Sequence, residues 1–441
     1  MPDKYEITKP SLRQIEWADC EIGVIIHLDI QVFYPEACAG NLPPPQLFNP
    51  AKLDTDQWLE SARNAGAKYA VLTAKHGSGF ALWPTEANDY SVKNTSWRNG
   101  KGDIVADFIS SCEKYSIRPG LYYNTGFNSF CNVVSHKVLS GGKNAQISYS
   151  RTAEKQVTEL WSNYGNLFEI WFDGGLAKEK EGPDIVPILL KYQPDSICFQ
   201  GPSGKAPVIR WVGNEFGVAP YPCWSTVSEG TSSDGIVEMD NMNGAPDGVL
   251  WAPGESDMPL RDKKKAFAGG WIWREGEDDY VYSLKHLVNQ YYTSVGRNTN
   301  LLLGVVVDKH GLVPEADALR LAEFGNELMC RFSTPLASKA GQTDCISIEF
   351  GIFKEINHAV IMEDLNYGER VREYTISGKT NEGWTKICEG TCIGHKRIEN
   401  FNNINVSEVK IEFDKYSEPP VIRDFSIYKI SNINLDKEMT K

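Results

Sequence analysis

The chain lacks any apolar run long enough to cross a bilayer, and its opening residues, Met1-Pro-Asp-Lys, lead into no apolar stretch of the kind a secretion signal needs. On sequence alone this points to a cytoplasmic protein that does not engage membranes. Basic charge is also in deficit. The 45 Lys and Arg against 58 Asp and Glu leave a net charge of −13, which disfavours nucleic acid and anionic membranes as partners. The seven histidines show no His-x-His or His-x₃-His spacing, so no metal site or other cofactor is expected. The ten cysteines include no Cys-x-x-Cys, the tightest pair being Cys388 and Cys392. Scattered cysteines in a chain of this size, without a secretion signal, read as reduced thiols. Internal repeats and low-complexity segments are missing as well.

What is present is aromatic. Twelve tryptophans are many for 441 residues, and aromatics make up 11% of the chain. Tyr69 to Ala74 reads as a short buried strand that ends in Lys75-His76-Gly77-Ser78-Gly79. The turn that follows carries Phe80, Trp83, Tyr90 and Trp97. Aromatic faces cover the apolar face of a pyranose, and a neutral imidazole serves its hydroxyls. The same aromatics would serve equally well as ordinary core. A second segment, Asn166-Leu-Phe-Glu-Ile-Trp-Phe-Asp-Gly-Gly175, places its acidic residue at the end of an apolar strand. Side chains alternate along a strand, so Glu169, Trp171 and Asp173 share one face. An aspartate at the carboxyl end of a parallel strand is where (β/α)₈ barrels keep their active sites, although such residues also serve as caps.

Strand-like runs alternate with amphipathic helical stretches through most of the chain. Seven strands are clear, near 22–27, 69–74, 119–123, 167–173, 196–200, 208–212 and 301–307. Helices are expected near 56–64, 104–115, 153–164, 281–295 and 316–328. This alternation implies an α/β protein, a (β/α)₈-like TIM barrel, over residues 1–335. Residues 217–265 are rich in Gly, Pro, Ser and Asp and read as long loops at an active site. Beyond about residue 336 the period changes to two, and no helix is evident. Residues 336–441 therefore read as a C-terminal antiparallel β-sandwich, resembling discoidin-like galactose-binding modules in Trp384-Thr-Lys and Asp424-Phe-Ser-Ile-Tyr428.

Taken together these segments resemble the α-L-fucosidases of glycoside hydrolase family 29. The matching pieces are Gly23-Val-Ile-Ile-His27-Leu-Asp29-Ile-Gln-Val-Phe33, Gly66 to Trp97, Gly102 to Ile109, Arg118 to Tyr123, and Phe168 to Gly175. Further on come Arg210-Trp-Val-Gly-Asn-Glu215, Tyr291 to Leu301, and Gly311 to Asp317. The Arg-Trp-Val-Gly-Asn-Glu and Ile-His-Leu-Asp-Ile-Gln-Val-Phe forms look like the branch that cleaves α-1,3/1,4-fucosyl linkages in branched, Lewis-type glycans. The resemblance implies a retaining exo-hydrolase acting through a covalent fucosyl-enzyme, with a fucosylated oligosaccharide as its partner. A non-catalytic glycan-binding protein on this scaffold, or a hydrolase for another sugar, remain the competing readings.

By the same resemblance Asp173 is the nucleophile. Glu215 is the matching acid/base, with Glu255 and Glu275 as the other carboxyls to weigh. A general acid working at neutral pH needs its proton held by desolvation or by a neighbouring negative charge. His27 and His76, at the ends of the first two strands, would bond fucose hydroxyls. Tyr122, Trp171, Arg210 and Glu255 would complete the pocket. Phe33, Trp83, Trp271 and Trp273 are unranked candidates for an apolar wall facing the C6 methyl group. The chain departs from the family in Gly77, where many relatives carry a second histidine. It departs again in the stretch Met258-Pro-Leu-Arg-Asp-Lys-Lys-Lys-Ala-Phe-Ala-Gly-Gly-Trp271, which holds extra residues, and in Gly304-Val-Val-Val-Asp308.

Overall fold

A computed structural model describes residues 7–34, 42–178, 180–228 and 242–431. Cys38 and the ends of the two expected domains lie outside the described residues. Eight parallel strands close a barrel: β1 (Ile22–His27), β2 (Tyr69–Lys75), β3 (Arg118–Asn124), β4 (Glu169–Asp173), β5 (Ile197–Phe199), β6 (Val208–Trp211), β7 (Gly254–Pro259) and β8 (Thr299–Val306). Each pairs with its neighbour in chain order, and β8 closes on β1 with Ile22 opposite Leu301 and His27 opposite Val306. The seven expected strands are present. The eighth, β7, falls inside the stretch that composition assigns to loops, and this is a correction. Its sequence, Gly-Glu-Ser-Asp-Met-Pro, has neither apolar runs nor β-branched residues. It is nevertheless buried throughout, because Glu255 and Asp257 turn inward onto donors from Tyr69, Trp171 and Trp211.

Helices wrap most of the barrel: α1 (Leu12–Ala18), α2 (Thr55–Asn64), α3 (Ile104–Tyr115), α4 (Gly142–Asn163), α5 (Val186–Tyr192), α6 (Leu284–Thr293) and α7 (Glu315–Phe332). Helix α3 shows why these segments are helical. Asp103 caps it by accepting from the Ala106 amide, and Ile104, Val105, Phe108, Ser111 and Cys112 form one buried stripe at helical spacing. Left-handed Ser116 ends it. Each large apolar side chain buried this way stabilises by about 1.5–3 kcal/mol. Among the described residues no helix follows β5 or β6.

Helix α1 closes the barrel from below. Trp17 Nε1 donates to Glu169 Oε2 at 3.3 Å, and Gln14 Nε2 donates to the carbonyls of Val208 and Trp251. Tyr69 crosses the floor above it, and this requires Gly23. A Cβ there would lie 2.2 Å from the Tyr69 ring.

After α7, six antiparallel strands form the C-terminal β-sandwich: β9 (Ala337–Gln342), β10 (Cys345–Glu363), β11 (Val371–Thr380), β12 (Gly383–Gly390), β13 (Arg397–Tyr416) and β14 (Val421–Tyr428), in the order β9-β14-β10-β13-β11-β12. The period-two pattern of 345–350 and that of 358–362 belong to one long strand, β10. It reads as two because its register shifts between Glu349 and Lys354. The sandwich has its own apolar core around Ile356, Ile376, Val406 and Phe425. It is also anchored to the barrel. Glu369 accepts from the Ser225 amide and from Asn298 Nδ2 at 2.6 Å, while Val360, Ile398 and Tyr428 join the barrel's apolar cluster.

Candidate active site

At the carboxyl ends of the strands a pocket opens, lined by Ile25, His27, His76, Tyr122, Trp171, Asp173, Glu215, Asp257 and Trp271. It encloses about 380 Å³ including its mouth, at the small end for small-molecule sites, and suits one ring rather than a chain.

Asp173 is the last residue of β4. Gly174 and Gly175 follow with φ of 76° and 70°, so the strand stops there and the carboxyl stands at the rim. Its Oδ2 accepts from the Tyr122 hydroxyl at 2.5 Å and from Asn124 Nδ2 at 2.6 Å. Both donors come from β3, where Asn124 lies opposite Asp173 and Tyr122 opposite Trp171. Two donors on one oxygen aim the carboxylate and leave Oδ1 to the pocket. Behind them Lys75 is wholly buried and donates to the Asn124 carbonyl. Burial draws its ammonium down to about 7, against the pull of Asp173 and Asp29.

Glu215 sits on a tight turn after β6, in the left-handed region at φ 52°, a conformation rare for a residue with a side chain. Asn214 builds the turn by accepting from the Phe216 amide at 2.8 Å. Instead of an apolar shield, Glu215 has an ionic partner, its Oε2 pairing with the Lys263 ammonium.

His27 ends β1 and His76 follows β2, with ring centroids 5.6 Å apart. Burial, with His76 nearby, holds the His27 imidazole down to about 3, so it is neutral. Its Nδ1 lies 3.3 Å from the Ile25 carbonyl, which assigns the proton to Nδ1 and leaves Nε2 as an acceptor. An aromatic ladder runs from His76 to Tyr122, Trp171 and Phe199, stacked at 5.6, 5.4 and 3.7 Å. Trp271 closes the opposite side 5.0 Å from His27, and its ring lies where a Cβ on Gly304 would be, 2.3 Å away. Of the four wall candidates, Trp271 lines the pocket. Its Nε1 and His76 Nδ1 are buried without a partner among the described residues, as expected of groups that wait for a ligand's hydroxyls.

Other expected residues lie elsewhere. Trp83 is buried in the barrel's outer core, its Nε1 donating to Glu159 at 2.9 Å. Trp273 packs half-buried against the same core, and Phe33 packs against Phe48. Arg210 is buried under the loop between β6 and β7, donating to the carbonyls of Ala252 and Met242, with no ion pair to Asp173. Glu275 is exposed and pairs with Lys309. Glu255 is neither an exposed loop carboxylate nor a pocket-lining one. It lies within β7, wholly buried, accepting from Tyr69 Oη at 2.6 Å and Trp171 Nε1 at 3.0 Å. Beside it stands Glu169. Burial raises both carboxyls above the usual carboxylate range, and the charge of Glu255 raises Glu169 further.

Asp257, two residues along β7, is the site residue that sequence reading overlooks. It lines the pocket and accepts from Trp211 Nε1 at 2.7 Å. Burial, reinforced by Glu215 and Glu255, pushes its carboxyl up to about 7. The signal lay in Glu255-x-Asp257, which alternation places on one face once the stretch is recognised as a strand.

A blind aromatic pocket at the carboxyl end of a parallel barrel, with carboxyl groups converging from separate strands and loops, is the equipment of a glycoside hydrolase. Comparison with known proteins agrees. A family model described as "Alpha-L-fucosidase" matches residues 34–330. Alpha-L-fucosidase 1 of Arabidopsis thaliana is 29% identical over 95% of this chain and 87% of its own. A crystal structure from Bacteroides thetaiotaomicron, provisionally assigned as an α-L-fucosidase, superposes with a TM-score of 0.91 at 37% identity, covering 97% of this chain and all of the other. A Ruminococcus gnavus family 29 fucosidase solved with fucose shares the fold at 22% identity, with a TM-score of 0.81 over 97% of this chain and 96% of its own. The chain belongs to the α-L-fucosidase family, glycoside hydrolase family 29.

Proposed function

We propose that the protein is a retaining exo-α-L-fucosidase that releases α-1,3/1,4-linked L-fucose from branched, Lewis-type glycans. The observation that carries this reading is that Asp173 and Glu215 face one blind, single-ring pocket, with Asp173 aimed by two donors. In the first step Asp173 Oδ1 attacks the anomeric carbon, and the glycosidic C–O bond breaks as Glu215 passes a proton to the departing oxygen. In the second step Glu215, now a carboxylate, takes a proton from water. The water oxygen bonds to the anomeric carbon, and Asp173 leaves. His27 Nε2 accepts from one sugar hydroxyl, and Trp271 Nε1 and His76 supply donors to others. Trp271 presents the apolar face expected by a C6 methyl group. The floor beneath the pocket is sealed by Tyr69, Glu169 and Trp17, which favours a terminal residue over an internal one.

Chromatography of fucose released from Lewis-type and 2′-fucosylated oligosaccharides tests the linkage, and proton NMR of the first-formed anomer tests retention. Release from the Lewis-type glycans, with α-fucose formed first, is expected. β-Fucose formed first would overturn the retaining mechanism, and release from 2′-fucosylated glycans alone would overturn the linkage.

A further inference from the structure

Glu215 is met by a cation that the two steps above do not use. Lys263 comes from the segment after β7, within Asp262-Lys-Lys-Lys265. Its two lysine neighbours are exposed, and Lys265 turns back to Asp262. Lys263 alone bends toward the pocket rim. Its ammonium pairs with Glu215 Oε2, lies 3.4 Å from the Asn214 carbonyl and sits 4.9 Å over the Phe216 ring. It thus holds all three residues of the turn that presents the acid. Its own backbone is fixed from the other side, the amide donating to Tyr282 Oη at 3.1 Å. The pair is about one-third exposed, 29% for the lysine and 32% for the glutamate. The other ionisable groups facing Glu215 across the pocket are Asp257 from β7, Asp173 from β4, His27 from β1 and His76 after β2. Among the described residues no lysine or arginine lines the pocket itself.

We propose that Lys263 is a positioning residue for Glu215, holding it over the pocket as the carboxylate that the second step requires. This rests on the reading of Glu215 as the acid/base. In the first step the proton leaves Glu215 for the glycosidic oxygen, and the carboxylate formed is received by the ammonium. In the second the same carboxylate takes a proton from water while the ammonium keeps it aimed. Removing Lys263 therefore leaves the turn that carries Glu215 without its clamp and slows both steps, while the residues that bind the sugar stay in place.

The test is kcat and KM, read separately, for fucose release from a Lewis-type trisaccharide by wild type, Lys263→Met, Lys263→Arg and Glu215→Gln. Melting temperatures confirm that each variant is folded, and Lys263→Gln stands in if the methionine variant is not. In Lys263→Met kcat is expected to fall about tenfold with KM within about twofold of wild type, and Lys263→Arg is expected to restore kcat. A wild-type kcat in Lys263→Met, with release abolished in Glu215→Gln, would overturn the role of Lys263 and leave that of Glu215 standing. Wild-type release in Glu215→Gln would overturn both.

Discussion

The barrel holds two storeys of carboxyl groups built from the same strands. Asp173 and Glu169 stand four residues apart on β4, and Asp257 and Glu255 two apart on β7. Alternation sends all four inward. The upper storey opens to a pocket and is dressed with donors that aim it. The lower is sealed by Trp17, Tyr69 and Trp171, and burial keeps a proton there. One residue type thus does chemistry or holds structure according to its height in the barrel. Trp171 joins the storeys, with its Nε1 on Glu255 and its ring stacked against Tyr122, whose hydroxyl holds Asp173.

Substitutions at the two levels should therefore separate activity from stability. Asp173→Asn is expected to lower fucosidase turnover by at least about a thousandfold while the melting temperature moves by no more than about 2 °C. Steady-state kinetics beside a thermal melt reads both, and full turnover would break the contrast. Glu255→Ala should act in the opposite sense. It leaves Tyr69 and Trp171 as buried donors without an acceptor and opens a cavity, at a cost of about 3–5 kcal/mol measured by urea unfolding. A variant as stable as wild type would mean the lower storey is not structural.

Stability should also carry the mark of the buried carboxyls. Glu255 and Asp257 each hold a proton up to about 7 in the folded state, well above their unfolded values of 4.5 and 3.8. The folded protein binds more protons between those limits, so its stability is greater near pH 5 and declines as pH rises through 7. Unfolding free energies across pH 5–8 should show a fall of a few kcal/mol, and Glu169→Gln should flatten it. The smallest effect is expected off the pocket. Trp273→Phe should change kcat/KM by less than about twofold, because Trp273 packs on the outer core. A tenfold loss would bring it back to the substrate.

Much of this arrangement was legible from residues alone. Apolar strands ending in His27, His76 and Asp173 announce a barrel and its carboxyl-end site, because hydrophobic runs with a polar terminus have few other uses. The seventh strand was not legible, since Gly-Glu-Ser-Asp-Met-Pro is ordered by donors of Tyr69, Trp171 and Trp211 that meet it only after closure. With it were hidden Asp257 and the sealed position of Glu255. Tryptophan names could not sort themselves either. Trp271 and Trp83 look alike in sequence, and only Gly304 and Glu159 decide which faces the sugar and which faces the core.

The quarter of the barrel after β5 and β6, without a helix among the described residues, has a consequence for how the enzyme can be altered. Asp173 is rooted in a strand that helices α4 and α5 flank in sequence, whereas Glu215 rides on a turn that meets Lys263 and, further along, the sandwich through Ser225 and Glu369. Insertions or deletions there would re-aim Glu215 while Asp173 stayed where it is. Linkage preference could therefore be reshaped by grafting loops, without retooling the half of the machinery that grips the departing sugar.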